Sequence, residues 1–273
     1  MITTRELTFK YDEGNVALKN IHIDLNKGSI IGIIGVNGSG KSTLFMNMVG
    51  VLKPTSGTVL YNNQTIKYDK KSLRELRKKV GIVFQDPDKQ IFYSKVYEDV
   101  AFALRNLGLD EAEVKRRVDG SLESVGAMAF KEQPIHFLSH GQKKRVAIAS
   151  VIAMQNEVML FDEPTAGLDP KSVTAIEDII KDVSKRNTKV VISSHDMDLI
   201  YHLCDYIYVL DQGCVMREGQ TEAVFTNDSV ICEIGLAEPW LVKVHKYMGM
   251  PLFRKEEDLY AYYHANRKEG LGE

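Results

Sequence analysis

Ile30-Ile31-Gly32-Ile33-Ile34-Gly35-Val36-Asn37-Gly38-Ser39-Gly40-Lys41-Ser42-Thr43 decides how the rest of the chain is read. Its first five residues form an apolar run of strand type, the eight from Gly35 to Ser42 match the pattern GxxxxGK[ST], and an amphipathic helical stretch follows. Glycines at 35, 38 and 40 let successive backbone N–H groups converge on a phosphate, and the following helix presents its positive end to the same anion. Lys41 is expected to reach the β- and γ-phosphates of a nucleotide, and the Ser42 hydroxyl to coordinate magnesium. One helix terminus stabilises an anion by about 2 kcal/mol at most. A loop of this kind therefore holds a nucleotide but needs further groups to hydrolyse it.

Those groups have candidates downstream. Val158-Met159-Leu160-Phe161 carries Asp162 and Glu163 to the end of a second apolar run, where open α/β sheets place their ligands. Asp162 is expected to hold magnesium through water, and Glu163 to polarise the attacking water as a general base. Paired carboxylates after a strand are more often an ordinary exposed loop. Pro164 and the sequence Ala166-Gly167-Leu168-Asp169 favour the functional reading.

The pentapeptide Leu138-Ser139-His140-Gly141-Gln142 lies between the loop and the acidic strand end. With it, residues 1–220 resemble an ATP-binding cassette, and the resemblance implies further roles. Tyr11 stands where such domains stack an aromatic ring on adenine, and Gln85 where they place a glutamine that senses magnesium and water. His195 stands where they contact the γ-phosphate, and Asp169 where they communicate across a dimer. Nucleotide contacts are thus assigned to Tyr11, Gly35, Val36, Asn37, Gly38, Ser39, Gly40, Lys41, Ser42, Thr43, Ser139, Gly141, Gln142 and Asp169. Catalysis is assigned to Glu163, His195 and Gln85, magnesium to Ser42, Gln85 and Asp162, and the cofactors are ATP and Mg2+.

The implied fold is α/β: a P-loop NTPase core with a RecA-like mixed sheet and an antiparallel β subdomain, a helical subdomain over about 96–155, and a small C-terminal appendage over 221–273. In the family's head-to-tail dimer, Ser139 and Gly141 of one subunit meet the γ-phosphate held by the other, from a helix starting near Gln142. His140 replaces the family's usual glycine and is expected to point elsewhere.

Within the family, Phe84-Gln85-Asp86-Pro87-Asp88-Lys89-Gln90-Ile91-Phe92-Tyr93 and Glu238-Pro239-Trp240-Leu241-Val242-Lys243-Val244-His245 resemble the ATPases of energy-coupling-factor importers, the cobalt-importing branch in particular. The resemblance implies a second ATPase subunit, a transmembrane coupling protein docked beside Gln85, a membrane protein that captures the substrate, and a position on the cytoplasmic face of the cell membrane. Nickel or vitamin import is the competing reading within transport. Outside it stands a cassette acting on nucleic acid or ribosomes, which would show long heptad insertions or two fused cassettes.

Composition agrees with these expectations. The formal net charge of −2 with 26% charged residues gives no global basic field for nucleic acid. Cys204, Cys214 and Cys232 are widely spaced without a CxxC pair and read as reduced, buried thiols. Met1-Ile2-Thr3-Thr4-Arg5-Glu6 does not resemble a signal peptide. His136, His140, His202 and His245 are scattered and read as surface or structural residues. Over residues 70–79 a strongly basic segment places Leu73, Leu76 and Val80 at helical spacing, and its lysines and arginines form either a solvated face or a contact to anionic headgroups. Val114, Val118, Leu122 and Val125 mark a buried helical stripe. Residues 221–273 read as two helical stretches and a disordered end from 268, with a dimer-stabilising or a simple packing role.

Overall fold

The structure, a computed structural model, describes residues 1–227 and 230–269. Ten strands, β1 (Ile2–Lys10), β2 (Val16–Asp24), β3 (Ile30–Ile34), β4 (Ser56–Tyr61), β5 (Gln64–Thr65), β6 (Val80–Val83), β7 (Val158–Asp162), β8 (Lys189–Ser194), β9 (Tyr206–Asp211) and β10 (Cys214–Gln220), form two sheets. The larger runs β10-β9-β3-β8-β7-β6, parallel throughout except for the β9–β10 hairpin. The smaller, β2-β1-β4-β5, is antiparallel.

Every residue of β3 and β7 is buried, as in a parallel sheet covered on both faces. The strand period of two divides their side chains between two cores. Ile30, Ile34, Met159, Phe161, Ile207 and Val209 join one core, whereas Ile31, Ile33, Val158, Leu160, Tyr208 and Leu210 join the other. The second core is closed by the antiparallel sheet and by helix α1 (Lys41–Met48). Helix α2 (Lys70–Lys79) buries Leu76 against it. Several α2 charges have fixed partners: Arg77 donates to Gly50 O and Arg74 to Asn106 O, and Lys79 pairs with Glu157.

The first core extends into helices α3 (Val96–Asn106), α4 (Glu111–Ser124) and α5 (His140–Ala153), where Val114, Val118, Leu122 and Val125 all point inward. Helices α6 (Pro170–Ser184) and α7 (Met197–Leu203) cover the same sheet face. The chain ends in α8 (Thr221–Asn227), α9 (Val230–Glu233), α10 (Trp240–Met248) and α11 (Glu256–Glu269). These pack on the first core through Phe225, Ile231, Val242 and Leu259, and Arg254 ties them down by donating to Cys204 O at 2.7 Å and pairing with Glu222. Lys268 and Glu269 continue the backbone of α11, and the remainder of the tail expected to be disordered lies outside the described residues. Only one cysteine fits the expected burial: Cys204 is enclosed, Cys214 is half-buried and Cys232 is exposed.

The order β3-β8-β7-β6 is what assembles a site. The phosphate loop leaves β3, His195 follows β8, Glu163 follows β7, and Gln85 lies just beyond β6, all at the carboxyl ends of neighbouring parallel strands.

Candidate nucleotide site

A cavity of about 550 Å³ opens at these strand ends. Asn37, Gly38, Gly40, Lys41, Ser42 and Thr43 line it, with Tyr11, Gln85 and Glu163. A second cavity, of about 510 Å³ between α4 and the amino ends of β7 and β8, contains none of the residues assigned above.

Steric constraints explain two of the loop glycines. A Cβ on Gly35 would lie 2.2 Å from Leu210 O, and one on Gly40, at φ +107°, 2.7 Å from Ala17 O. Both contacts are to backbone, so neither position accommodates a side chain without moving a strand. Gly40 is also the N-cap of α1 and offers no side-chain acceptor, leaving the first N–H groups of that helix for an anion. Gly35 and Ser39 are buried beneath the loop and Val36 is half-buried.

Lys41 is 6% exposed, and its Nζ donates to Gly35 O at 2.7 Å and to Val36 O at 3.2 Å. The same ammonium lies 3.6 Å from Glu163 Oε1, an oxygen that is buried without a hydrogen-bond partner. Glu163 sits at φ +44°, a left-handed conformation unusual for a glutamate. Its N–H donates to Ser193 O and Oγ, both at 3.1 Å, which pins the backbone of the β7 exit to β8. The second carboxylate oxygen, Oε2, meets His195 Nδ1 at 2.8 Å. Strain at one residue, held from two sides, aims the carboxylate into the cavity.

His195 itself is exposed and does not line the cavity. Asp162 lies below the floor, 5% exposed, where it accepts from Ser193 Oγ. Tyr11, at the rim, is 40% exposed; its hydroxyl bonds Thr43 Oγ1 at 2.9 Å and its ring meets Phe9 edge-on at 4.9 Å. Ser42, Gln85 and Asp162 offer hydroxyl, amide and carboxylate oxygens, the hard donors magnesium prefers. Ser42 and Gln85 face the cavity directly, so the set fits that ion.

Ser139, Gly141, Gln142 and Asp169 form a separate cluster away from this cavity. Ser139 caps α5: its Oγ accepts from Gln142 N, and Gln142 Oε1 accepts from Ser139 N at 2.8 Å. The helix expected to start near Gln142 begins two residues before it, at His140, because Ser139-x-x-Gln142 is a reciprocal capping pair. Gly141 packs against α6, where an added Cβ would be 2.9 Å from Ser172 Oγ, and that hydroxyl donates to Asp169 Oδ2 at 2.6 Å. The Ser172 hydrogen bonds hold the Asp169 carboxyl below the usual range. His140 is exposed.

The cavity also includes residues that no motif singles out: Asn15, Lys19, Gln212 and Gly213. Gln212-Gly213 is a tight turn, with both φ values positive, at the tip of the β9–β10 hairpin. Its neighbourhood to the loop arises from sheet order, which no local pattern encodes. Lys144 is another such residue: although within a basic run, it is completely buried, and burial pushes its ammonium down to about 8 against the opposing pull of Asp162, Asp86 and Glu163.

A phosphate-binding loop, a carboxylate aimed beside its lysine and a glutamine from the next strand define a nucleotide-hydrolysing P-loop site. The family model described as ABC transporter matches residues 18–166, and the chain belongs to that family. It is 46% identical to the cobalt import ATP-binding protein CbiO of Salmonella paratyphi A over 95% of this chain and 96% of that one. It is 47% identical to the energy-coupling factor transporter ATP-binding protein EcfA of Methanocaldococcus jannaschii over 88% and 86%. Among solved structures it resembles cbiO1 from Clostridium perfringens, part of the ABC transporter complex cbiONQ, with TM-score 0.77 and 41% identity, covering 91% of this chain and 98% of that one.

Proposed function

We propose that this chain is the ATP-hydrolysing subunit of an energy-coupling-factor importer and that its cargo is cobalt ion. The observation that carries the mechanism is the separation of two clusters. Lys41, Gln85 and Glu163 share one cavity, whereas Ser139 and Gly141 lie outside it at the amino end of α5. One chain thus supplies half of each of two sites, and a second copy completes them head to tail.

In this reading the α1 N–H groups and Lys41 bind the phosphates, Tyr11 receives the adenine, and the partner's α5 closes over the γ-phosphate. Glu163, oriented by His195, accepts the proton of the attacking water. Ser42, Gln85 and Asp162 would hold magnesium, which neutralises phosphate charge when bound. His195 reaches the γ-phosphate on closure, and Asp169 faces the partner.

Beyond Gln85, Phe92, Tyr93 and Phe102 are 78%, 43% and 39% exposed. The buried Asp99 carboxylate fixes the loop of the first two against α3, which carries Phe102, by accepting from the N–H groups of Phe92 at 2.8 Å and Tyr93 at 3.1 Å. In this reading the aromatic rim receives the transmembrane coupling protein, and the chain works at the cytoplasmic face of the membrane. Cobalt is assigned through the similarity to CbiO.

Glu163→Gln tests the reaction: the variant binds ATP, runs as a dimer on gel filtration with ATP present, and hydrolyses about 10²- to 10⁴-fold more slowly. Wild-type turnover in that variant would remove Glu163 from the role of base. Metal uptake in a deletion strain tests the cargo, since loss of nickel import with cobalt import intact reassigns it.

A further inference from the structure

Lys144 is the only lysine among the described residues with no exposed surface. It lies on the α5 stripe that carries Ala147, Ile148 and Val151 into the core, where packing alone would call for an apolar side chain. Burying an ammonium is costly unless its protons are used. Its Nζ donates to Phe84 O at 3.0 Å and to Gln85 O at 2.7 Å.

Two neighbours reinforce the same junction. Gln90 Nε2 donates to Ala147 O on α5 at 2.9 Å while its Oε1 accepts from Phe84 N at 3.0 Å, and Lys143 pairs with Asp88 at 2.7 Å. Three side chains therefore stitch residues 84–90 to one helix, and Ser139 caps the amino end of that helix.

We propose that Lys144 is a positioning residue that locks the backbone of Gln85 to α5, so that what Ser139 meets in the partner's site sets the placement of Gln85 in its own. The inference rests on the dimer reading above and adds to it a path between the two sites. A nucleotide captured at the amino end of α5 draws that helix toward the partner, and the Lys144 hydrogen bonds carry Phe84 and Gln85 with it. Each site then responds to occupancy of the other.

The test uses the full chain. Lys144→Met keeps the length of the side chain and removes the donors. Its thermal midpoint should fall only modestly, because loss of the buried charge offsets part of the cost of leaving the Phe84 and Gln85 carbonyls without their donor. Its KM for ATP should stay within about twofold while kcat falls about 10- to 100-fold, the effect expected of a misplaced catalytic group. Cooperativity in ATP should disappear, and Lys144→Gln, which restores a donor, should recover part of kcat.

Wild-type kcat and cooperativity in a folded Lys144→Met overturn the proposal. So does a loss of kcat that tracks a lowered thermal midpoint and is not relieved by Lys144→Gln, the signature of packing alone. If Lys144→Met does not fold, Gln90→Met cuts the adjacent stitch; the same split between kcat and KM is then expected, and wild-type kinetics overturn the inference. Failure of Glu163→Gln to dimerise with ATP removes the dimer reading and this inference with it, whereas an ATP-dependent dimer with unaltered Lys144→Met kinetics removes this inference alone.

Discussion

His195 Nδ1 lies 2.8 Å from Glu163 Oε2, a contact made across the ends of adjacent strands β8 and β7. The pairing leaves Oε1 as the carboxylate oxygen nearer Lys41, at 3.6 Å. The imidazole thus fixes which oxygen faces the phosphate loop.

Removing that orienting group should affect chemistry more than binding. In His195→Ala the carboxylate loses its imidazole partner and can turn further toward Lys41, which would withdraw the proposed base from the attacking water. A fall in kcat of about 100-fold with ATP affinity within a few-fold is the expected result. Steady-state ATPase measured beside equilibrium nucleotide titration separates the two, and an unchanged kcat would show that the contact is incidental.

His140 offers the opposite case. It is exposed at the first residue of α5, and the cap that starts this helix is made by Ser139 and Gln142 without it. His140→Gly should retain ATPase activity, with a stability cost of about 1 kcal/mol at most for glycine in a helix. Near-complete loss of turnover in a folded variant would mean that the imidazole, and not the backbone beside it, meets the nucleotide.

Much of this arrangement can be read from the chain because its chemistry is local. The spacing of Gly35, Gly40 and Lys41 encodes a loop in which Gly35 and Gly40 each abut a strand carbonyl, and Val114, Val118 and Leu122 encode a buried helical face by period alone. Ser139-x-x-Gln142 also encodes its own helix start, although the glycine beside it draws attention two residues further on. Lys144 is different: a lysine between Lys143 and Arg145 looks solvated, and only the packing of α5 against the end of β6 makes it interior. The hairpin tip at Gln212-Gly213 is hidden for the same reason, since it reaches the cavity through the adjacency of β9 and β3.

Stability should depend on acidity through α4. Arg116 and Arg117 donate to Glu113 and hold its carboxyl down to about 2, from an ordinary value of 4.5. A group whose folded pKa is depressed adds stability that is complete above 4.5 and fades as pH falls from there toward 2. The thermal midpoint of the wild type should therefore drop over this interval more steeply than that of Glu113→Gln. Parallel curves for the two proteins would show that the pair contributes nothing in solution, as exposed ion pairs often do.

The split between the two clusters predicts complementation. Lys41→Ala destroys the phosphate half of a site and Ser139→Ala the closing half, so each variant alone should form dimers in which both sites are defective. Mixing them gives a different count. In a mixed dimer the Lys41→Ala chain lends its intact Ser139 to the partner's intact Lys41, which restores one complete site, while the other site carries both lesions. Random pairing makes half the dimers mixed, so turnover should rise to at most about one quarter of the wild type, and less where coupling between sites slows a lone active one. ATPase assays of the two proteins, separately and after mixing, decide the matter. If the mixture never exceeds the sum of its parents although subunits exchange, Ser139 acts within its own chain and the head-to-tail site is excluded.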